Sequence, residues 1–182
     1  MKKEIIATLV GAIILFVWQF LSWSILPVHL SEYGYSANQD QIMSCLSQNL
    51  SESGTYMLPG SPPGTSHEQA EKDMEKHLNK PWASIQYHNS FEMNMGMNMF
   101  RAFMVDLLAI FLLVWLLRKP SSITIKSAVT SSVAIGFIGY LTIPYLNSIW
   151  FQTNSLGHLI DAVVPWSLAG GWLGWYLGRE VL

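Results

Sequence analysis

Hydrophobic and polar positions divide this chain into four apolar runs and one long polar interval. The first run, Ile5 to Pro27, holds 23 uncharged residues behind a Met-Lys-Lys-Glu start. A hydrocarbon core about 30 Å thick takes roughly 20 apolar residues in helical form, so this run predicts a membrane-crossing helix. It is longer than the roughly 7 to 15 residue core of a signal peptide and no A-x-A-like cleavage site follows it, which predicts an uncleaved anchor. Trp18 and Trp23 lie toward its far end, where amphipathic rings favour the membrane interface, and Pro27 closes it. The second run extends from about Met99 to Leu117 and stops at Arg118-Lys119-Pro120. The third begins after Lys126 and continues to about Tyr145, with Pro144 near its end. After a short aromatic loop carrying Trp150 and Phe151, the fourth runs from about Gly157 to Gly178 and stops at Arg179.

The polar interval, Val28 to about Phe91, predicts a small α+β unit. Ile42, Met43, Leu46 and Leu50 are spaced for one helical face over Ala37 to Leu50, with Asn38 as a cap. Gly54 to Leu58 reads as a strand. A Pro-Gly cluster from Pro59 to Gly64 makes a loop, and Ser66 followed by Gln69 forms a capping box that opens a polar helix to about Asn79. Beyond Pro81, WASIQYH alternates like a second strand. Paired strands with helices on one face make a core so small that the unit must lean on the membrane surface, the helix bundle or a partner.

The fold class that follows is mainly α and integral to the membrane: a four-helix transmembrane bundle with a small α+β extracytoplasmic domain between helices 1 and 2. The expected domains are an anchor at 1–27, the inserted unit at 28–98 and a three-helix membrane region at 99–182. Lys2, Lys3, Arg118, Lys119, Lys126 and Arg179 all fall on one side of four spans, so the positive-inside rule predicts cytoplasmic termini and an outward-facing 28–98 segment. Composition agrees, with 51% hydrophobic residues, 12% charged and eight Trp in 182. The net charge of −2 excludes the concentrated basic surface that nucleic acid calls for. A single cysteine, Cys45, excludes an internal disulfide.

Five intramembrane polar residues, Arg101, Asp106, Tyr140, His158 and Asp161, are candidates for chemistry. Ionisable groups in a bilayer need partners or water, which singles out Arg101, Asp106 and Asp161. At about 1.5 Å per residue, Arg101 and Asp161 lie at matching depth, which predicts a salt bridge between helices 2 and 4, with His158 one turn from Asp161. Asp106 lies about 7 Å deeper and roughly 140° around the helix from Arg101, which points to Tyr140 or Thr142 of the third helix as its hydrogen-bond partner, or to a neutral, protonated carboxyl group. These groups form either a polar clamp that fixes the helices or a proton, ion or small-ligand site.

Met93, Met95, Met97 and Met99 form a ladder, with His88 five residues earlier. Thioether sulfur is a soft ligand suited to Cu(I). An extended chain would turn all four sulfurs to one face, whereas a helix would set Met93 and Met97 opposite Met95 and Met99. Flexible methionines also fill interface gaps without metal. His29, His67 and His77 are scattered and show no H-x-x-x-H or C-x-x-C spacing, so no zinc site is expected and no cofactor is assigned.

Small residues recur every fourth position at Ala128, Ser132 and Gly136 and at Gly170, Gly174 and Gly178. That spacing predicts close helix packing, within one chain or across a homo-oligomer seam. There is no Gly-x-Ser-x-Gly elbow, phosphate loop or dinucleotide fingerprint, so no catalytic residue is assigned. The layout, with LIDAVVPWSLAGGWLGWYLG as its most distinctive stretch, resembles that of small bacterial inner-membrane proteins with four spans. The resemblance implies that location and no activity. The expected role is a non-catalytic accessory, assembly or interaction protein in the lipid bilayer; the alternative is small-ligand, proton or copper binding or transport.

Overall fold

The computed structural model describes residues 2–120 and 122–179. In chain order it contains α1 (Lys2–Ser24), α2 (Gln39–Asn49), β1 (Gly54–Leu58), α3 (His67–Glu75), β2 (Ala83–Tyr87), α4 (Met95–Leu117), α5 (Ile125–Tyr140), a π-helical turn (Leu141–Tyr145), α6 (Leu146–Phe151) and α7 (Leu156–Gly178). The protein is mainly helical. Three helices are long and apolar enough to cross a membrane: Lys2–Ser24, Met95–Leu117 and the continuous stretch Ile125–Phe151. The 23 residues of α7 have the length, but His158, Asp161, Pro165 and five glycines interrupt their apolar character.

Two compact units emerge. One runs up to Gly34 and resumes at Asn94; the other is Tyr35–Met93. In the helical unit α1 packs against both α4 and α7, and α7 lies along α5. The core joins Ala7, Ala12 and Leu15 of α1 to Ile110, Leu113, Val114 and Leu117 of α4, and to Ala169, Leu173 and Leu177 of α7. At the start of α1, Glu4 pairs with Arg118 at 3.0 Å and Lys3 lies over the Tyr176 ring at 5.6 Å. So α1 runs antiparallel to α4 and α7, and Lys3, Arg118 and Arg179 gather at one end.

The small residues make the α5–α7 contact within this chain. A Cβ added to Gly170 would lie 2.7 Å from Ser132 Oγ, one on Gly174 2.6 Å from Ile125 Cα, and one on Gly178 2.9 Å from Ile123 O. A Cβ on Gly136 would collide with Ala162 O. Hydrogen substituents therefore let the two backbones touch, which gains dispersion contact where lipid offers no hydrophobic drive.

Among the apolar runs, two helix boundaries differ from expectation for a visible reason. α4 starts at Met95, four residues before Met99, because the Asn94 side chain accepts from Met97 N at 3.0 Å and caps it. The third apolar run does not end at Tyr145. Pro144 lacks the N–H that an α-helix needs there, and the π turn absorbs the defect so that the helix continues through Trp150 and Phe151.

In the second unit β1 and β2 pair antiparallel, with Tyr56 opposite Ile85. The polar helix α3 ends at Glu75, short of the expected Asn79. Ser66 accepts from Gln69 N, but the Gln69 side chain bonds Asp73 and leaves the box half closed. Asn38 takes the N-cap position before α2, as expected, but its side chain makes no capping hydrogen bond. Tyr87 is the one buried residue of Tyr35–Met93, and neither α2 nor α3 buries any.

Candidate functional site

Beyond Ser24 the chain folds back on the end of α1. The backbone turn from His29 O to Glu32 N, 3.0 Å, sets His29 and Glu32 side by side. Asn154 Nδ2 donates to Ser31 Oγ at 2.9 Å and ties this loop to the start of α7. His29 is 6% exposed and stacks on Trp23, with ring centroids 3.8 Å apart and planes 11° apart. Four ionisable groups meet here: His29 and Glu32 from the loop, His158 and Asp161 from α7.

Asp161 is held by three donors. Trp18 Nε1 reaches its Oδ1 at 2.8 Å, Ser22 Oγ reaches the same oxygen at 2.6 Å, and His29 Nε2 lies 2.9 Å from Oδ2. Ser22 has one hydroxyl proton and directs it to Asp161, so Nε2 of His29 is the nitrogen that carries hydrogen. The other nitrogen, Nδ1, faces Glu32 Oε1 at 2.8 Å. Glu32 Oε2 in turn lies 3.5 Å from His158 Nε2, beyond ordinary hydrogen-bond length. The rings of His29 and His158 meet edge to face at 5.4 Å.

Two carboxylates therefore alternate with two imidazoles in a setting where the Glu32 side chain is 9% exposed and that of Asp161 20%. Burial of charge this deep requires pairing, because desolvation of an isolated carboxylate costs several kcal/mol. Glycine makes room for the arrangement. A Cβ on Gly157 would lie 2.5 Å from Glu32 Oε1 and 2.7 Å from His29 Nδ1. Chemically, the centre can clamp the loop onto α7, share protons between its carboxylates and imidazoles, or hold a cation.

Several residues singled out from the sequence fall elsewhere. The expected Arg101–Asp161 salt bridge is not formed, because α1 intervenes between α4 and α7 and supplies the groups that satisfy Asp161. Asp106, buried on α4, takes a hydrogen bond from Gln19 Nε2 of α1 at 2.9 Å, and its Oδ2 has no partner among the described residues. Neither Tyr140 nor Thr142 serves it. Tyr140 pairs with Ser155 Oγ at 3.2 Å, and Thr142 donates to Ile138 O at 2.8 Å. The expectation failed because α4 packs on α1 rather than on α5.

The methionine ladder is split. Met95, Met97 and Met99 are exposed on the first turns of α4, where a helical period turns Met97 away from the other two. Met93 and His88 belong to the Tyr35–Met93 unit. Ser132, Gly136, Gly170, Gly174 and Gly178 all lie in the α5–α7 seam.

Trp18, Gln19, Ser22, His29 and Glu32 were missed by pattern reading. Their one local signal is a pair of i,i+3 spacings, His29-x-x-Glu32 just after Pro27 and His158-x-x-Asp161 at the start of α7. Nothing in the sequence says that these two pairs, more than 120 residues apart, face each other. Searches of protein-family models, curated proteins and solved structures return no match for this chain.

Proposed function

We propose that this is a four-span protein of the bacterial inner membrane, with both termini cytoplasmic and residues 28–98 outside, acting without catalysis as an accessory or assembly partner of another membrane protein. One observation carries the partner reading. Tyr35–Met93 has a single buried residue, while Ile42, Met43, Met57, Leu58, Met74, Leu78 and Trp82 are all at least 41% exposed. A unit of this size resting on a two-stranded sheet does not bury enough apolar area to offset its chain entropy. A protein surface that covers those side chains supplies the missing burial.

The spans and their direction rest on the helical unit. α7 has the length of a span and packs along α5 and α1. The gathering of Lys3, Arg118 and Arg179 at one end supports a cytoplasmic face there.

Amide hydrogen exchange over Tyr35–Met93 tests the partner. Strong protection is expected in native membranes and rapid exchange in the purified protein, both in detergent and in protein-only liposomes. Equal protection in liposomes would mean that lipid or the protein's own bundle covers the unit, and the accessory reading would fail.

A further inference from the structure

We propose that His29, Glu32 and His158 form a binding site for one divalent transition-metal ion of the zinc class, with Asp161 as the residue that positions His29. The proposal is independent of any protein partner.

Three independent features of the centre converge on a cation. The first is ligand geometry. Donor atoms of His29, Glu32 and His158 all lie within 4.8 Å of one another. Ligand atoms around a tetrahedral ion at about 2.0–2.1 Å stand roughly 3.3 Å apart. The Glu32 carboxylate stands between the two imidazoles, with Oε1 2.8 Å from His29 Nδ1 and Oε2 3.5 Å from His158 Nε2, so both rings lie within reach of an ion on it.

The second is the tautomer. Asp161 and Ser22 fix a hydrogen of His29 on Nε2, so a ring with that one proton would turn its Nδ1 lone pair toward a carboxylate oxygen 2.8 Å away. Two lone pairs at that distance repel, and something positive must lie between or beside them. A second proton on the ring is one solution; a metal ion shared by Nδ1 and Glu32 is the other. The hydrogen-bonded carboxylate behind a ligating histidine is the arrangement that orients the ring and raises its basicity at metal centres.

The third is space and charge. Gly157, with no Cβ, lets Glu32 Oε1 and His29 Nδ1 pack directly against the start of α7, where a Cβ would meet them at 2.5 and 2.7 Å. With neutral imidazoles the centre carries two negative charges, from Glu32 and Asp161, and one divalent ion cancels both. Two imidazole nitrogens with one carboxylate oxygen form a borderline-soft set that favours zinc-class ions over calcium or magnesium. His158, whose side chain is 37% exposed, marks the open side through which an ion and a fourth, solvent ligand enter.

The test uses the full chain purified in detergent, stripped with chelator and titrated with Zn2+ by calorimetry and with Co2+ by visible absorption. One ion per chain is expected, with a low-coordinate Co2+ spectrum. His158→Ala and Glu32→Gln should each weaken binding by more than about 100-fold, since each removes a ligand. Asp161→Asn should weaken it by about 10–100-fold and shift the Co2+ bands, as loss of a carboxylate behind a ligating histidine does. A variant with His67, His77 and His88 all changed to Ala should bind like wild type. His158 lies at the rim, so its variant remains informative if Glu32→Gln fails to fold. Less than one ion per folded wild-type chain, or undiminished binding by folded His158→Ala, would overturn the site. So would binding that vanishes in the triple-histidine variant.

Discussion

Gln19 of α1 donates a 2.9 Å hydrogen bond to Asp106 of α4, and the other oxygen of that buried carboxyl group has no partner among the described residues. The pair bridges two helices that otherwise meet through Ala12, Leu15, Ile110 and Leu113. Removing one member leaves the other stranded. Gln19→Leu is expected to destabilise the protein by about 1–3 kcal/mol, the cost of a buried polar group without a partner. Combining Gln19→Leu with Asp106→Leu should recover much of that loss. Thermal unfolding of the two singles and the double in detergent measures the coupling, and strictly additive effects would show that the bond holds nothing.

The α5–α7 seam makes a sharper prediction. Gly174→Val and Gly170→Val drive a side chain into Ile125 Cα or Ser132 and should cost about 1–3 kcal/mol or more by overpacking. Gly171→Ala, whose nearest neighbour would be Val129 Cγ2 at 4.0 Å, should be neutral to mildly stabilising. Melting temperatures of the three variants check this. Similar losses at Gly171 and Gly174 would mean that the seam is not the close contact.

Topology can be read through the exposed, free Cys45. A membrane-impermeant maleimide should label Cys45 in intact spheroplasts, and should label Ser61→Cys in a Cys45→Ser background equally well. Labelling of both only after lysis would reverse the proposed orientation.

Outside the spans, Lys76 at 2.7 Å, and then Gln69 at 3.1 Å, hold the Asp73 carboxyl below its ordinary value. A depressed folded value means that the contribution to α3 is present above the unfolded pKa and is lost as pH falls through the folded one. Amide exchange at Asp73 to Lys76 should therefore quicken relative to intrinsic rates on acidification through and below the usual Asp range. Because the ion pair is solvent-exposed the change should be small, and Asp73→Asn should abolish it.

Much of the architecture was legible in the sequence, because its determinants are local. Runs of apolar residues of bilayer length marked α1, α4 and the α5–α6 helix, alternation marked β2, and small residues every fourth position marked the seam between α5 and α7. These patterns depend on periods of 3.6 and 2 that any stretch of chain carries within itself. Even Pro144 was visible, although a single turn of π-helix lets the chain pass it without stopping.

Neighbourhood was decided only by tertiary structure. Depth counting put Arg101 opposite Asp161, since it could not tell that α1 stands between α4 and α7. For the same reason it sought a partner for Asp106 on α5 when Gln19 lay across from it. The histidine–carboxylate centre needs the loop after α1 to fold back over Trp23, and it needs Gly157 to leave room for Glu32. Contacts between residues 29–32 and 157–161 come from the way α1 and its following loop pack on α7, and no spacing along this chain encodes that pairing.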